Sequence, residues 1–457
     1  LSSLADHIEE PTSRAIAAAV ARLVTSGELA PGDRLPTVRD LATELGVSPA
    51  TVSNAWQALS RAGLVVSRGR SGTTVRGAPR DWLPQRYQDI DGSGETRLDL
   101  SRGTPDPELL PSLQAALTRV PDRAQTSSYQ AKPDIPELHD LLRDRWPSRV
   151  ESLTVTNGAL DALDRVFGTL LTFGDRVLVE SPGFPPILDL LEHYGASAIG
   201  VSLDADGLLP DSLASGLSRH PKALVMQPRA QNPTGASMTT ARAEALARVL
   251  NRTSAGERVI VIEDDHSGEI STRPVVTLAS WLPDRVLHIR SFAKSHGPDL
   301  RIGALGGPRS LVDRVVSRRL LGAGWTSRMT QRILLELLTD PVPVEQVAAA
   351  RSAYAERQRT MSSALARHGI DLPLADGLNF WLPVHDERAA LVSLAAEGIR
   401  VAPGGPFLPA DSRTTEARVA EARGGDPRGA HVRVTVGIVR EDHASIAAAL
   451  AAASTAG

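Results

Sequence analysis

The chain has 457 residues, 42% of them hydrophobic, with a formal net charge of −3, and at about 150 residues per domain such a length suggests about three units. Zero cysteines exclude disulfides and thiol or thiolate chemistry, and fit a reducing, cytoplasmic setting. No apolar run spans a bilayer and no amino-terminal signal pattern is present, so a soluble protein without membrane contact is expected.

Charge is unevenly placed. Between residues 11 and 80 stand nine arginines, no lysine and four acidic residues (Glu28, Asp33, Asp40, Glu44), a local charge of +5. A basic head on an acidic body points to a phosphate-bearing partner. Over residues 14–24, Ile16, Val20, Leu23 and Val24 recur on one helical face. A second helix runs through Val38, Leu41 and Leu45 and stops at Gly46. Ser48 is a good cap and Pro49 suits a first helical position, so a third helix runs from there to about residue 62. Its Val52, Trp56 and Leu59 face inward, which leaves Ala50, Thr51, Ser53 and Asn54 outward near its amino end, where a helix-turn-helix reads the major groove. Residues 64–66 and 73–75 alternate as two short strands around Arg68, Gly69, Arg70, Ser71 and Gly72. Residues 11–78 therefore form a winged helix-turn-helix with two arginines in the wing.

The run GELAPGDRLPTVRDLATELGVSPATVSNAWQALSRAGLVVSRGRSGTTV resembles the DNA-binding domain of the GntR family of bacterial regulators. That resemblance implies a double-stranded DNA operator as partner. It also implies that Arg39, Thr51, Arg68 and Arg70 approach the DNA and that Gly72 lets the wing backbone come near. Pro49 stands where family members often carry arginine, and Ser48, Ser53 and Asn54 are the candidates to compensate.

Residues 79–98 mix proline, glycine, serine and charge without helical or strand period, and read as a partly ordered linker on which Trp82, Leu83 and Tyr87 can dock against the body. From 99 to 457 short apolar runs recur, each followed by a polar loop and a helical segment. They lead into Asn157-Gly158-Ala159, ESPGFP, QPRAQNPTG, EDDHSGE and SFAK. Strands alternating with helices imply an α/β body with a mainly parallel sheet wrapped on both faces, its loaded loops gathered at one edge. Lys294 follows an apolar strand at 286–289, where burial depresses an amine's pKa enough for attack on a carbonyl. Gly158, Ala159 and Leu160 open a helix whose free amides suit a phosphate, and Arg301 and Ser291 add a cation and a hydroxyl. Asp264 can keep a ring nitrogen protonated, Asn232 can donate to a ring oxygen, and Phe184 can stack on an aromatic face. Singly each has an ordinary explanation: Gly158 a turn, Phe184 core, Asn232 a turn before Pro233, Asp264 a solvated loop acid. Ser291 to Lys294 also fits an S-x-x-K serine nucleophile, but the S-D-N and K-T-G partners that such chemistry needs do not occur.

Taken together, SRGTPDPELLP, YQAKPDIPELHDLL, TNGALDAL, ESPGFP, QNPTG, EDDHSGE, SFAKSHGPDLRIG, ADGLNFWL and HVRVTVGIV resemble the fold-type I aminotransferases, with a smaller carboxy-terminal subdomain from about 340. The resemblance implies pyridoxal 5′-phosphate in Schiff-base linkage to Lys294, with Asp264 on the pyridine nitrogen and Asn232 on the ring hydroxyl oxygen. Ser291, Arg301 and the amides of 158–160 would hold the phosphate, Phe184 would cover the ring, and Tyr129 would reach across a homodimer. Arg433 matches the arginine that takes an amino acid's carboxylate. His266 replaces a usual tyrosine, making its hydrogen bond pH-sensitive or weaker. Ala293 replaces a frequent serine, Asp134 stands where glycine is expected, and Asn379 where histidine is frequent. Head and body in this order resemble the MocR subfamily of GntR regulators. The expected function is a transcription regulator sensing an amine, an amino acid or the cofactor, with residual aminotransferase-like activity. The alternatives are a working aminotransferase with a DNA-binding head, and a regulator that has lost the cofactor.

Overall fold

The computed structural model describes residues 4–8, 11–26, 28–30, 32–61, 65–67, 72–75, 84–90, 96–120, 129–410 and 430–456. In the head, α1 (Ser13–Ser26), α2 (Val38–Leu45) and α3 (Pro49–Arg61) pack Ile16, Val20, Leu41, Val52, Trp56 and Leu59 into one apolar core. Local chemistry sets the helix ends. Thr37 Oγ1 accepts from the Asp40 amide at 3.2 Å, Gly46 ends α2 at φ +66°, and Ser48 Oγ accepts from the Thr51 amide at 3.2 Å. Strands β1 (Val65–Ser67) and β2 (Thr73–Val75) pair antiparallel as the wing. Arg68 and Arg70, expected in the wing, lie outside the described residues. Phe173, from the body, packs against the head's core.

The linker differs from its expected lack of period: residues Gln85–Ile90 form a helix, α4. Under two turns is too short to leave a periodic signal, and the helix stands because it docks. Arg86 donates to Asp189 and Glu192 on the helix Pro185–His193, and Ile90 is buried with Ala402 and Phe407.

In the body the strands are β3 (Leu98–Leu100), β4 (Ser152–Thr156), β5 (Arg176–Ser181), β6 (Ser197–Asp204), β7 (Gly207–Leu208), β8 (Ala223–Met226), β9 (Ile260–Asp265), β10 (Val286–Ser291), β11 (Gly303–Gly307), β12 (Asn379–Pro383), β13 (Ile399–Pro403) and β14 (His431–Thr435). Among the described residues, eight form one sheet in the order β4-β11-β10-β9-β8-β5-β6-β7. β10, β9, β8, β5 and β6 run parallel, while β11 is antiparallel to β10 and to β4. The carboxyl ends of β4, β5, β8, β9 and β10 therefore share one edge. Apolar clusters cover both faces: Leu163, Val166 and Phe167 lie on one, Leu213, Leu246 and Leu250 on the other. A smaller sheet, β12-β14-β13-β3, packs on the helices Pro341–Ala366, Glu387–Ala396 and His443–Ser454. Its β3 comes directly after the linker and pairs parallel with β13, so the smaller subdomain takes a strand from far outside residues 340–457.

Candidate cofactor and effector site

Strand β10 ends at Ser291, and Lys294 follows in the single turn Ala293–His296. Its amine donates to the Gly103 carbonyl. Burial first, then the nearby Arg433 cation, bring the amine's pKa down to about 8, against the pull of Asp264. Asp264, 1% exposed at the end of β9, accepts from Gln227 Nε2 at 2.9 Å through Oδ2, while its Oδ1 is buried with no hydrogen-bond partner. Burial lifts this carboxyl to about 6, although the Gln227 bond pulls it down. A buried acceptor left open beside a lysine is costly for a structure that gains nothing from it.

Gly158, at φ +97°, opens the helix Ala159–Leu170, and a Cβ there would lie 3.4 Å from the Arg301 guanidinium. Arg301 holds a left-handed φ of +46° immediately after the turn Pro298–Leu300. Gly303 completes the fit, because a Cβ on it would stand 3.2 Å from the Ala159 nitrogen. Ser291 is buried at the same edge, with Oγ accepting from the Ala293 amide at 3.3 Å. A helix amino end, a guanidinium and a hydroxyl thus converge as an anion cup.

A cavity of about 460 Å³ is lined by Lys294, Asn232, Arg433, Phe184, Tyr87 and Ile90 among others. Arg433 is 3% exposed and donates to Asn232 Oδ1 at 3.3 Å and to the Ser101 carbonyl. Its guanidinium lies 5.1 Å from the Phe407 ring centroid, and its buried Nε has no partner. Desolvation brings even this arginine down to about 10.

The substituted positions behave as their new side chains dictate. His266 Nε2–H donates to the Ala230 carbonyl at 2.8 Å, since a carbonyl only accepts. Burial, reinforced by Lys294, drops its pKa to about 4. Of the two expected consequences of His266, pH sensitivity is therefore absent at neutral pH, where the ring stays uncharged. Asp134 needs no left-handed turn; its Oδ1 accepts from Thr154 Oγ1 at 3.2 Å and the Val155 amide at 2.8 Å, tying that loop to β4. Asn379 Oδ1 accepts from Thr435 Oγ1 at 3.1 Å.

Tyr129 is not brought to this cavity: it is 92% exposed, its ring 6.2 Å from that of Trp325. In the head, Arg39, Ser48 and Asn54 are exposed and Thr51 and Ser53 half-buried. Ser48 Oγ also lies 2.9 Å from Thr51 Oγ1, so capping already engages both hydroxyls. Gly72 holds φ +85° with the Arg34 guanidinium against it, adding an arginine to the wing that periodicity did not single out.

Three other residues were not assigned a role from the sequence, and Tyr87, expected only to dock on the body, proves to face the cavity. Gln227, just past β8, donates its side chain to Asp264 and its amide to Glu180 Oε2 at 3.1 Å, and accepts from the Asn232 amide at 2.8 Å. Buried Glu180, lifted to about 8 by desolvation, closes that network through Gln231. Gly103 meets the Lys294 amine, and Tyr87 enters the cavity wall. Position at the loaded sheet edge was the available signal for Gln227, and an aromatic in a polar linker was the signal for Tyr87; nothing local gives Gly103 its role.

Two family models match: bacterial regulatory proteins of the gntR family over residues 12–75, and aminotransferase class I and II over residues 95–423. The vitamin B6 salvage pathway transcriptional repressor PtsJ of Salmonella typhimurium is 36% identical over 409 residues, covering 88% of this chain and 92% of its own. This chain belongs to the MocR-type GntR regulators. Other MocR-type relatives include the regulator TauR of Rhodobacter capsulatus, 30% identical over 447 residues (87% of this chain, 90% of its own). The pyridoxine biosynthesis regulator PdxR of Corynebacterium glutamicum is 29% identical over 384 residues, 80% of each chain. Among solved structures, the α-aminoadipate aminotransferase LysN of Thermus thermophilus superposes with a TM-score of 0.65 at 22% identity, over 81% of this chain and 97% of its own. That likeness establishes the fold-type I aminotransferase fold of the MocR body.

Proposed function

We propose that this protein is a transcription regulator that binds operator DNA through its winged head, holds pyridoxal 5′-phosphate at Lys294, and answers an amine or amino acid, or the cofactor itself. The observation that carries the reading is the partnerless, buried Asp264 Oδ1 beside a lysine whose amine is brought to about 8, with an anion cup on the same sheet edge. Those features fit the cofactor's ring nitrogen, aldehyde and phosphate. When bound, the cofactor supplies an electrophilic carbon for amines and an electron-withdrawing ring.

The chain's own residues divide the work. Lys294 presents a largely desolvated amine to the aldehyde. Asp264 Oδ1 holds the proton on the ring nitrogen, and Gln227 keeps its other oxygen occupied. Because Asn232 Oδ1 already accepts from Arg433, the Asn232 NH₂ is left to donate to the ring oxygen. Phe184 covers the ring. Arg301, Ser291 and the amides of 158–160 hold the phosphate. Arg433, with no carboxylate partner among the described residues, takes the effector's carboxylate by its donor fork. In a homodimer, exposed Tyr129 serves the neighbour's phosphate. Arg39, Thr51, Ser53 and Asn54 face DNA with Ser48 and Gly72 shaping the approach, and Arg68 and Arg70 add cationic charge for its phosphates.

Relatives named for vitamin B6 salvage and pyridoxine biosynthesis support the cofactor as a signal. A working aminotransferase is the second reading, favoured by the intact set of Lys294, Asp264 and Arg433. The test is a paired one on purified protein. Added cofactor should raise a visible absorbance band that is lost in Lys294→Ala, and should change the affinity for promoter DNA at fixed salt. A colourless parent would end the proposal, and sustained oxo-acid release from an amino donor would favour the second reading.

A further inference from the structure

The cavity that holds Lys294 and Arg433 is closed on one side by the linker. Helix α4 packs on the helix Pro185–His193 of the larger subdomain and on β13 and the turn Gly405–Phe407 of the smaller one. It therefore bridges the two walls of the cleft. Arg86 anchors it to the first wall through Asp189 and Glu192. Ile90 anchors it to the second, buried with Ala402 and Phe407 and backed by Trp381. On the same helix Tyr87 and Ile90 line the cavity beside Arg102, Gly103 and Thr104.

Two routes join the ligand's anionic end to this helix. One is direct, since Tyr87 and Arg433 line the same cavity and the Arg433 cation is the largest charge felt by the Tyr87 phenol. The other runs through packing: the Arg433 guanidinium sits over Phe407, and Phe407 packs on Ile90. Beyond α4 the chain enters β3, which pairs with β13, and before α4 it leads to the wing.

Resting on the function proposed above, we infer that Tyr87 and Ile90 of the linker helix form the outer wall of the effector subsite. The fitting ligand is an amine with a carboxylate or sulfonate for Arg433 and a short chain that Tyr87 and Ile90 measure. Tyr87 is thus a specificity-determining residue, and the linker is the reporter of occupancy. Coupling needs only that the ligand bind more tightly with α4 in one of its positions.

The experiment uses the full-length protein loaded with pyridoxal 5′-phosphate and titrated with L-alanine, with taurine and with n-propylamine as an anion-free control. Ligand binding is read from the visible band, and occupancy of the linker from the rate of tryptic cleavage between residues 79 and 98. In the parent, L-alanine or taurine should change the cleavage rate by at least about threefold and n-propylamine should not. In Tyr87→Ala the band should still form, the midpoint for the better ligand should move by about tenfold, and the ligand's effect on cleavage should vanish. Tyr87→Phe separates ring from hydroxyl, and Arg86→Ala loosens the helix without changing any residue that lines the cavity; it should abolish the effect on cleavage with a smaller change in midpoint. A Tyr87→Ala protein that titrates and is cleaved as the parent overturns the inference alone. A parent with no band overturns the underlying function, and this inference with it.

Discussion

At the scale of single residues, the surroundings of Lys294 set the protonation of its amine. An amine of pKa about 8 is about one-tenth neutral at pH 7, against roughly three parts in ten thousand for an ordinary lysine. The sign follows from burial: desolvation penalises the charged form, so the folded value lies below the unfolded one and neutral amine accumulates as pH rises through about 8. Cofactor uptake by the cofactor-free protein, followed by stopped-flow absorbance, should therefore accelerate about tenfold per pH unit below 8 and level off above it. A rate still climbing unchanged at pH 9.5 would contradict that environment. Asp264 and Asp265 show how neighbours decide between adjacent, equally buried carboxyls. Asp265 is held at about 2 despite burial by a two-pronged Arg229 at 2.8 and 2.9 Å, while Asp264, hydrogen-bonded only by the Gln227 amide, is lifted by burial to about 6.

At the scale of elements, the head's three helices set a cationic and hydroxyl-bearing face around a small apolar core. Helix α2 is held by a threonine cap at its start and Gly46 at its end, so Arg39 on its first turn is carried on rigid backbone. Arg39 is exposed, and a cation that neutralises one phosphate releases one counterion. Arg39→Ala should lower affinity for all DNA sequences alike and reduce the slope of log affinity against log salt by about 0.9. Asn54→Ala, by contrast, should narrow the gap between operator and random DNA by about 1–3 kcal/mol while leaving that slope in place. Competition binding across a salt series distinguishes the two, and equal behaviour of both variants would remove Asn54 from base recognition.

At the scale of the whole molecule, the function proposed above has a second copy supply Tyr129 to the site. Tyr129 is 92% exposed, and its ring rests against Trp325 rather than in the cavity of its own chain. If it serves the neighbour, a mixed dimer of one Lys294→Ala chain and one Tyr129→Phe chain holds one doubly defective site and one intact site. Mixing the two variants should then restore cofactor binding of parental affinity at about half the sites of the mixed dimers, a closed two-fold arrangement being the commonest for such proteins. Equilibrium titration after subunit exchange measures it; no recovery would place Tyr129 outside the site.

Much of this was legible in the linear chain because it rests on local rules. The helix cap at Ser48, the stop at Gly46, and apolar strands ending in loaded loops follow from backbone sterics and short-range hydrogen bonds. Those rules placed Lys294, Gly158 and Asp264 on one sheet edge once the alternation of strand and helix was recognised. What they could not decide depends on distant segments meeting. That Asp134 ties a loop to β4, that His266 stays neutral, and that Gln227 links Asp264 with Glu180 are outcomes of burial and partners 5 to 47 residues away. The linker is the clearest case. Six residues with no helical period become a helix because two subdomains, brought together only by the fold, offer Asp189 and Glu192 on one side and Phe407 on the other.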